Sequence, residues 1–172
     1  MKLAFISSTK RGEIDRLVSL TAARLEADRK RLNGVVKVLE DNPDLAHDCD
    51  MDLRVLPDGP KIRITQSLGA GSSACRLNPA AIQEAVAEVE RLSSADADMF
   101  LLNKFGPQEG DGHGFRDTIA AALENGVPVL LGVGTTMRDA FEEFAQGLAE
   151  ELPEDLDKIY DWCREAMAQR TA

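Results

Sequence analysis

Four short apolar runs, separated by helical or turn-rich segments, restrict what this chain can fold into more than any other feature. They are Lys2–Ile6 (KLAFI), Val35–Leu39 (VVKVL), Asp98–Asn103 (DMFLLN) and Pro128–Val133 (PVLLGV). Runs of this kind suit strands buried on both faces, as in a parallel sheet flanked by helices. The segments between them supply the helices. Ile14, Leu17, Val18, Leu20, Thr21 and Leu25 fall mostly on one face of a helix from about Glu13 to Lys30, which Asn33-Gly34 breaks. Asn78 before Pro79 is a cap followed by a first-turn proline, opening a helix to about Leu92. Further helices are expected at Phe115–Glu124, Arg138–Ala149 and Glu154–Ala168, with Pro153 between the last two.

One stretch departs from this rhythm. Met51–Leu56 and Lys61–Gln66 both alternate and are separated by Pro57-Asp58-Gly59-Pro60, which predicts an antiparallel hairpin. The flanking segments EDNPDLAHDC (40–49) and LGAGSSACRLN (68–78) are polar or rich in Gly and Ser, and are expected as loops. The order β-α-β, hairpin, α-β-α-β-α-α predicts one three-layer α/β/α domain over residues 1–172, with a mainly parallel sheet and a small hairpin insertion. Right-handed crossovers would bring Ser7–Arg11, Asn103–His113 and Gly134–Thr136 to one rim, where such sheets bind ligands.

The formal charge of −10 argues against a nucleic-acid groove, which needs a basic face. Many of the acids fall between Asp139 and Asp161, a pattern of solvated helix faces. The amino terminus MKLAFISSTKRG has too few apolar residues for a signal-peptide core. No run approaches the roughly 20 apolar residues of a membrane span. A cytoplasmic location without membrane insertion is expected, and three scattered cysteines suit a reducing compartment. His47, Cys49 and Cys75 are weak metal-ligand candidates, because zinc sites bring three or four ligands at recognisable spacing.

Three loops carry candidate chemistry. The first is the turn ISSTKRGEID. A phosphate-binding P-loop needs glycines followed by Lys and Ser or Thr, but Gly12 is followed here by Glu13 and Ile14. Ser8, Thr9, Lys10 and Arg11 could still contact an oxyanion, or act as a helix cap with solvated cations. Glu13 and Asp15 lie in the first helical turn, where they complement its positive end. The second is NKFGPQEGDGHGFR. Its strand tip carries Asn103 and Lys104 where a nucleotide-hydrolysing protein would hold a magnesium-binding acid. Lys104 could supply the charge of the missing P-loop lysine, or pair with Glu109 or Asp111; the glycines would permit a lid. The third is GAGSSACRLNP, in which Arg76 and backbone amides form a candidate oxyanion cradle, or Arg76 pairs with an acid such as Glu109.

The segments CDMDLRVLPDG, RITQSLGAGSSACRLNP and DMFLLNKFGPQEGDGHGFRDTIAAALENGVPVLLGV resemble an uncharacterised bacterial family of unknown function that is often encoded beside molybdate-transport genes. The layout is more distantly similar to the small P-loop nucleoside-triphosphatases, with Asn103 and Lys104 at the places of their acid pair. The resemblance implies a degenerate P-loop NTPase-like fold and a link to molybdenum uptake or cofactor supply. The expected function is binding of a small anionic ligand, a nucleotide or an oxyanion such as molybdate, through Ser8, Thr9, Lys10, Arg76, Lys104 and Arg116. Two alternatives stand beside it. One is a nucleoside-triphosphatase using Glu109 or Asp111, with Mg²⁺ required only in that case. The other is a non-catalytic assembly protein, possible as a homo-oligomer, with Phe141, Phe144, Tyr160 and Trp162 on the contact.

Overall fold

Strands and helices alternate as the apolar runs require in the computed structural model, which describes residues 1–39, 51–67 and 75–171. The elements are β1 (Leu3–Ile6), α1 (Glu13–Ala27), β2 (Leu32–Lys37), β3 (Asp52–Val55), β4 (Lys61–Arg63), β5 (Thr65–Ser67), β6 (Cys75–Leu77), α2 (Pro79–Glu90), β7 (Met99–Phe105), α3 (Pro107–Gly110), α4 (Arg116–Glu124), β8 (Val129–Val133), α5 (Arg138–Ala145), β9 (Ala149–Leu152) and α6 (Leu156–Thr171). Across the main sheet the order is β4-β3-β2-β7-β8-β1-β9. From β2 to β9 every pairing is parallel, whereas β3 and β4 add antiparallel at one edge. The fold is a three-layer α/β/α sandwich with a mainly parallel sheet and a hairpin insertion.

The period of two along each strand feeds a separate core on each face. Leu3, Phe5, Phe100, Leu102, Val129 and Leu131 pack with α2, α4 and α5. Ala4, Ile6, Met99, Leu101 and Leu130 pack instead with α1 and α6. Helix α2 starts as its sequence predicts, with Pro79 in the first turn and Asn78 Oδ1 accepting from the amides of Ala80 and Ala81 at 3.1 and 3.3 Å.

The expected hairpin is present, with Leu53 opposite Ile62. Other boundaries differ. Asn33-Gly34 does not break the chain but lies inside β2, paired in register with Phe100 and Leu101. There the Asn33 side chain accepts from the Gly34 amide at 2.7 Å, so a turn-forming pair is absorbed into the ladder. Cys75–Leu77, expected as loop, pairs with Thr65–Ser67. The helix expected to reach Ala149 stops at Ala145, where Gln146 and Gly147 both take positive φ. Ala149–Leu152 then forms a strand beside β1. Its residues have low strand propensity, and pairing with β1 overrides that preference.

His47 and Cys49 lie outside the described residues, as does the Cys75 side chain; among the described residues no group of three His, Cys, Asp or Glu could hold a metal. Cys163 is fully buried on α6, and burial pushes its thiol far above the ordinary range. The four aromatics considered for association all have partners within the chain. Phe141 packs on Phe5 and Phe105, and Phe144 on Phe105. The Tyr160 hydroxyl donates to Asp28, and Trp162 Nε1 donates to Glu150 at 2.9 Å. No helix among the described residues is long and apolar enough to cross a membrane.

Candidate ligand-binding site

Strands β1 and β8 are neighbours, but their following helices leave on opposite faces: α1 covers one and α5 the other. Such a divergence opens a crevice at the carboxyl ends of the strands. A cavity of about 470 Å³ lies there. Its polar lining comes from Ser8–Gly12 after β1, Asn103–Glu109 at the end of β7, and Gly134–Thr136 after β8. The three rim loops expected from topology therefore meet.

The end of β7 holds the most unusual chemistry. Strict alternation would place Asn103 and Lys104 on opposite faces of the sheet. Between Leu102 and Phe105, however, β7 carries one residue more than β8 opposite it. A bulge of this kind bends a strand and re-aims its side chains. Both residues consequently reach the same carboxylate, that of Asp15 in the first turn of α1. Asn103 Nδ2 donates to Asp15 Oδ1 at 3.0 Å, and Lys104 Nζ lies 3.1 Å from the same oxygen. Lys37 Nζ, from the end of β2, lies 3.3 Å from Oδ2. Asn103 Oδ1 accepts from the Lys37 amide at 3.2 Å, which ties α1, β2 and β7 together. The bulge needs room on β8, and Gly132 provides it. A Cβ there would stand 2.3 Å from both Asn103 O and Ile14 Cγ2.

Asp15 is only 4% exposed. Burial pushes its carboxyl up, but Lys104, Asn103 and Lys37 together outweigh burial and hold it below the usual carboxylate range. Lysine thus occupies the strand tip and the acid occupies the helix start. In a P-loop protein the arrangement is the reverse, with lysine on the helix and acid on the strand. The two charges have changed sides. Neither Glu109 nor Asp111 is the partner of Lys104, contrary to the pairing considered from sequence.

Glu109 has another task. It is 4% exposed, and its two oxygens accept from the amides of Gly106 at 2.8 Å and Phe115 at 2.9 Å. It thereby staples both ends of the loop between β7 and α4. Burial pushes its carboxyl up, and the two amides offset that only in part. Gly114, at φ +58°, sits so close that a Cβ would lie 2.2 Å from Glu109 Oε1. The segment expected as a mobile lid contains the short helix α3 and is pinned by this carboxylate. Asp111 is exposed and is not among the residues lining the cavity.

The remaining sequence candidates divide. Ser8, Thr9, Lys10 and Arg11 line the cavity. Ser8 Oγ accepts from the Lys10 amide at 3.0 Å, and Lys10 Nζ pairs with Glu154 at 3.0 Å. Arg76 is exposed on β6 and is not among the cavity residues. It is not the partner of Glu109 considered from sequence. Arg116 donates to the Glu109 carbonyl at 3.2 Å and lies over the Phe144 ring, behind the loop. The structure groups Ser8, Thr9, Lys10 and Lys104 and leaves Arg76 and Arg116 outside.

Asp15 and Lys37 are the members that sequence reasoning missed as site residues. Asp15 had a detectable signal: with Val18, Ala22 and Leu25 it sits on the buried stripe of α1, where an acid needs a partner.

P-loop proteins of this fold hold Mg²⁺ beside their phosphates through a carboxylate and a hydroxyl. The residues here do not fit that ion. Asp15 is engaged by two ammonium groups and an amide, Glu109 by two backbone amides, and Ile14 stands at the hydroxyl position.

The strand order, the switch-point cavity and the position of the loop after β1 define a P-loop NTPase-like fold with its key charges transposed. The chain belongs to the family described as Protein of unknown function (DUF2478), which matches residues 3–162. It is also similar to the Molybdenum import ATP-binding protein ModC 2 of Bradyrhizobium diazoefficiens, 29% identical over 98% of this chain. The chain spans only 19% of that relative's length. Among solved structures, THEP1 from the hyperthermophile Aquifex aeolicus superposes with a TM-score of 0.63 at 18% identity, covering 94% of this chain and 95% of that one. A human cancer-related nucleoside triphosphatase gives 0.59 at 9% identity, covering 98% of this chain and 97% of that one.

Proposed function

We propose that this protein binds a small anionic ligand, a nucleotide or an oxyanion such as molybdate, at the strand-end cavity, without magnesium-dependent hydrolysis. The observation that carries this is the cluster at its edge. Lys104 and Lys37 share a single buried carboxylate, Asp15, so the group keeps one net positive charge beside the cavity. Asp15 fixes the Lys104 ammonium in place, and that charge does the work a metal ion performs elsewhere in the fold. The Lys104 side chain is 36% exposed and lines the cavity, so it can meet a ligand while still paired.

The known names support the nucleotide class and a supporting role in molybdenum uptake: one relative is a molybdenum import ATP-binding protein and one structural neighbour a nucleoside triphosphatase. Thermal denaturation with ATP, GTP, molybdate and tungstate in EDTA tests the proposal. Ligand at 100 times its Kd adds about 2.7 kcal/mol. An upward shift with at least one of them is expected; no shift at millimolar concentration with any of the four would remove it.

A further inference from the structure

We infer that the ligand is an organic phosphate carrying an apolar, ring-sized body, and not a free tetrahedral oxyanion. This rests on the anion-binding reading and narrows it. The cavity walls differ from end to end. Lys104, Ser8 and Thr9 stand at the loops after β7 and β1, whereas Val35, Leu53, Ile64, Leu77 and Ile82 come from β2, the hairpin region and α2. From β7, which carries Lys104, to β3 there are two strand spacings, or about 10 Å at ~4.8 Å each. The apolar lining from β2, the hairpin region and α2 thus lies to one side of Lys104, while Ile14, Leu102 and Phe105 border the polar loops.

Size points the same way. The volume of about 470 Å³ falls within the roughly 300–1,000 Å³ typical of organic-ligand sites. A tetrahedral anion held at Lys104 would fill a small part of it and leave the space beside the apolar lining unfilled. Val35, Leu53, Ile64 and Ile82 belong to the buried core of that face, and the cavity beside them is a void that well-packed interiors avoid. The cluster of Lys37, Lys104 and Asp15 keeps one net positive charge at the polar end, where a phosphate head would sit.

The test uses the full-length chain in EDTA, titrated calorimetrically with 1-naphthyl phosphate, AMP, inorganic phosphate, molybdate and 1-naphthol. Removing about 100 Å² of ring surface from water corresponds to roughly 50–100-fold in affinity, the margin expected for naphthyl phosphate over inorganic phosphate. Leu77→Asn, checked for folding by circular dichroism, should weaken naphthyl phosphate about tenfold and leave inorganic phosphate unchanged. Phosphate or molybdate binding within threefold of naphthyl phosphate would overturn this inference and leave the anion-binding reading standing. If 1-naphthol binds as tightly as its phosphate, the anionic head has no role and the inference also fails. Binding of none of the five removes both.

Discussion

Replacing Asp15 by Asn changes one oxygen to nitrogen and leaves the shape of the site intact. The substitution deletes the charge on which Asn103, Lys104 and Lys37 converge. Hydrogen bonds to charged groups contribute about 1.5–3 kcal/mol each. The two ammonium groups are 28% and 36% exposed, so they regain water and the loss must be discounted. We expect a destabilisation of about 2–3 kcal/mol at pH 7, below the 3–5 kcal/mol of a fully buried pair. For a chain of 172 residues that lowers Tm by about 4–12 °C. Lys104→Met should cost less, about 1 kcal/mol, because Asp15 keeps Lys37 and Asn103. The pH dependence follows from the lowered carboxyl. Its contribution is fully present above the unfolded value of about 3.9 and disappears as pH falls through the lower folded value. Urea titrations from pH 7 downward should show the wild-type advantage held to about pH 4 and shrinking below it. A difference under about 0.5 kcal/mol at pH 7, or one that does not change with acid, would refute the electrostatic argument.

Glu109→Gln leaves one of the two amides, Gly106 or Phe115, facing a donor, and should cost about 1–2 kcal/mol in urea unfolding. Because burial raises the Glu109 carboxyl, wild-type stability from this group falls as pH rises from about 4.3 through the folded value, so the gap to the Gln variant should widen toward acid. Gly132→Ala forces a Cβ against Asn103 O and Ile14 Cγ2 and should cost about 1–3 kcal/mol, measured by thermal unfolding. It should also weaken ligand binding, since the displaced bulge carries Asn103 and Lys104.

Much of this architecture was legible because burial on both faces leaves a mark in composition. Residues 2–6, 98–103 and 128–133 read as strands for that reason, and the Asn78-Pro79 cap opened α2 where expected. Local chemistry misled where pairing overrode it. Asn33-Gly34 is a turn signal that β2 absorbs, and Ala149–Leu152 becomes a strand only because β1 offers a free edge. The site was half legible. Topology brings the loops after β1, β7 and β8 together, so Ser8 and Lys104 were recoverable. The partner of Lys104 was not, because it depends on a one-residue bulge that has no mark in the sequence. Arg76 and Arg116 were chosen for charge, and charge does not reveal direction.

Whether a fixed ammonium replaces a metal ion here can be measured directly. AMP and ATP should be titrated calorimetrically into wild-type protein and the Lys104→Met variant, in EDTA and then in excess Mg²⁺. Lysine in the metal's role predicts binding in EDTA, no tightening with Mg²⁺, and a loss of tenfold or more in the variant. Heat that appears only with Mg²⁺, or a variant that binds as tightly as wild type, would contradict it.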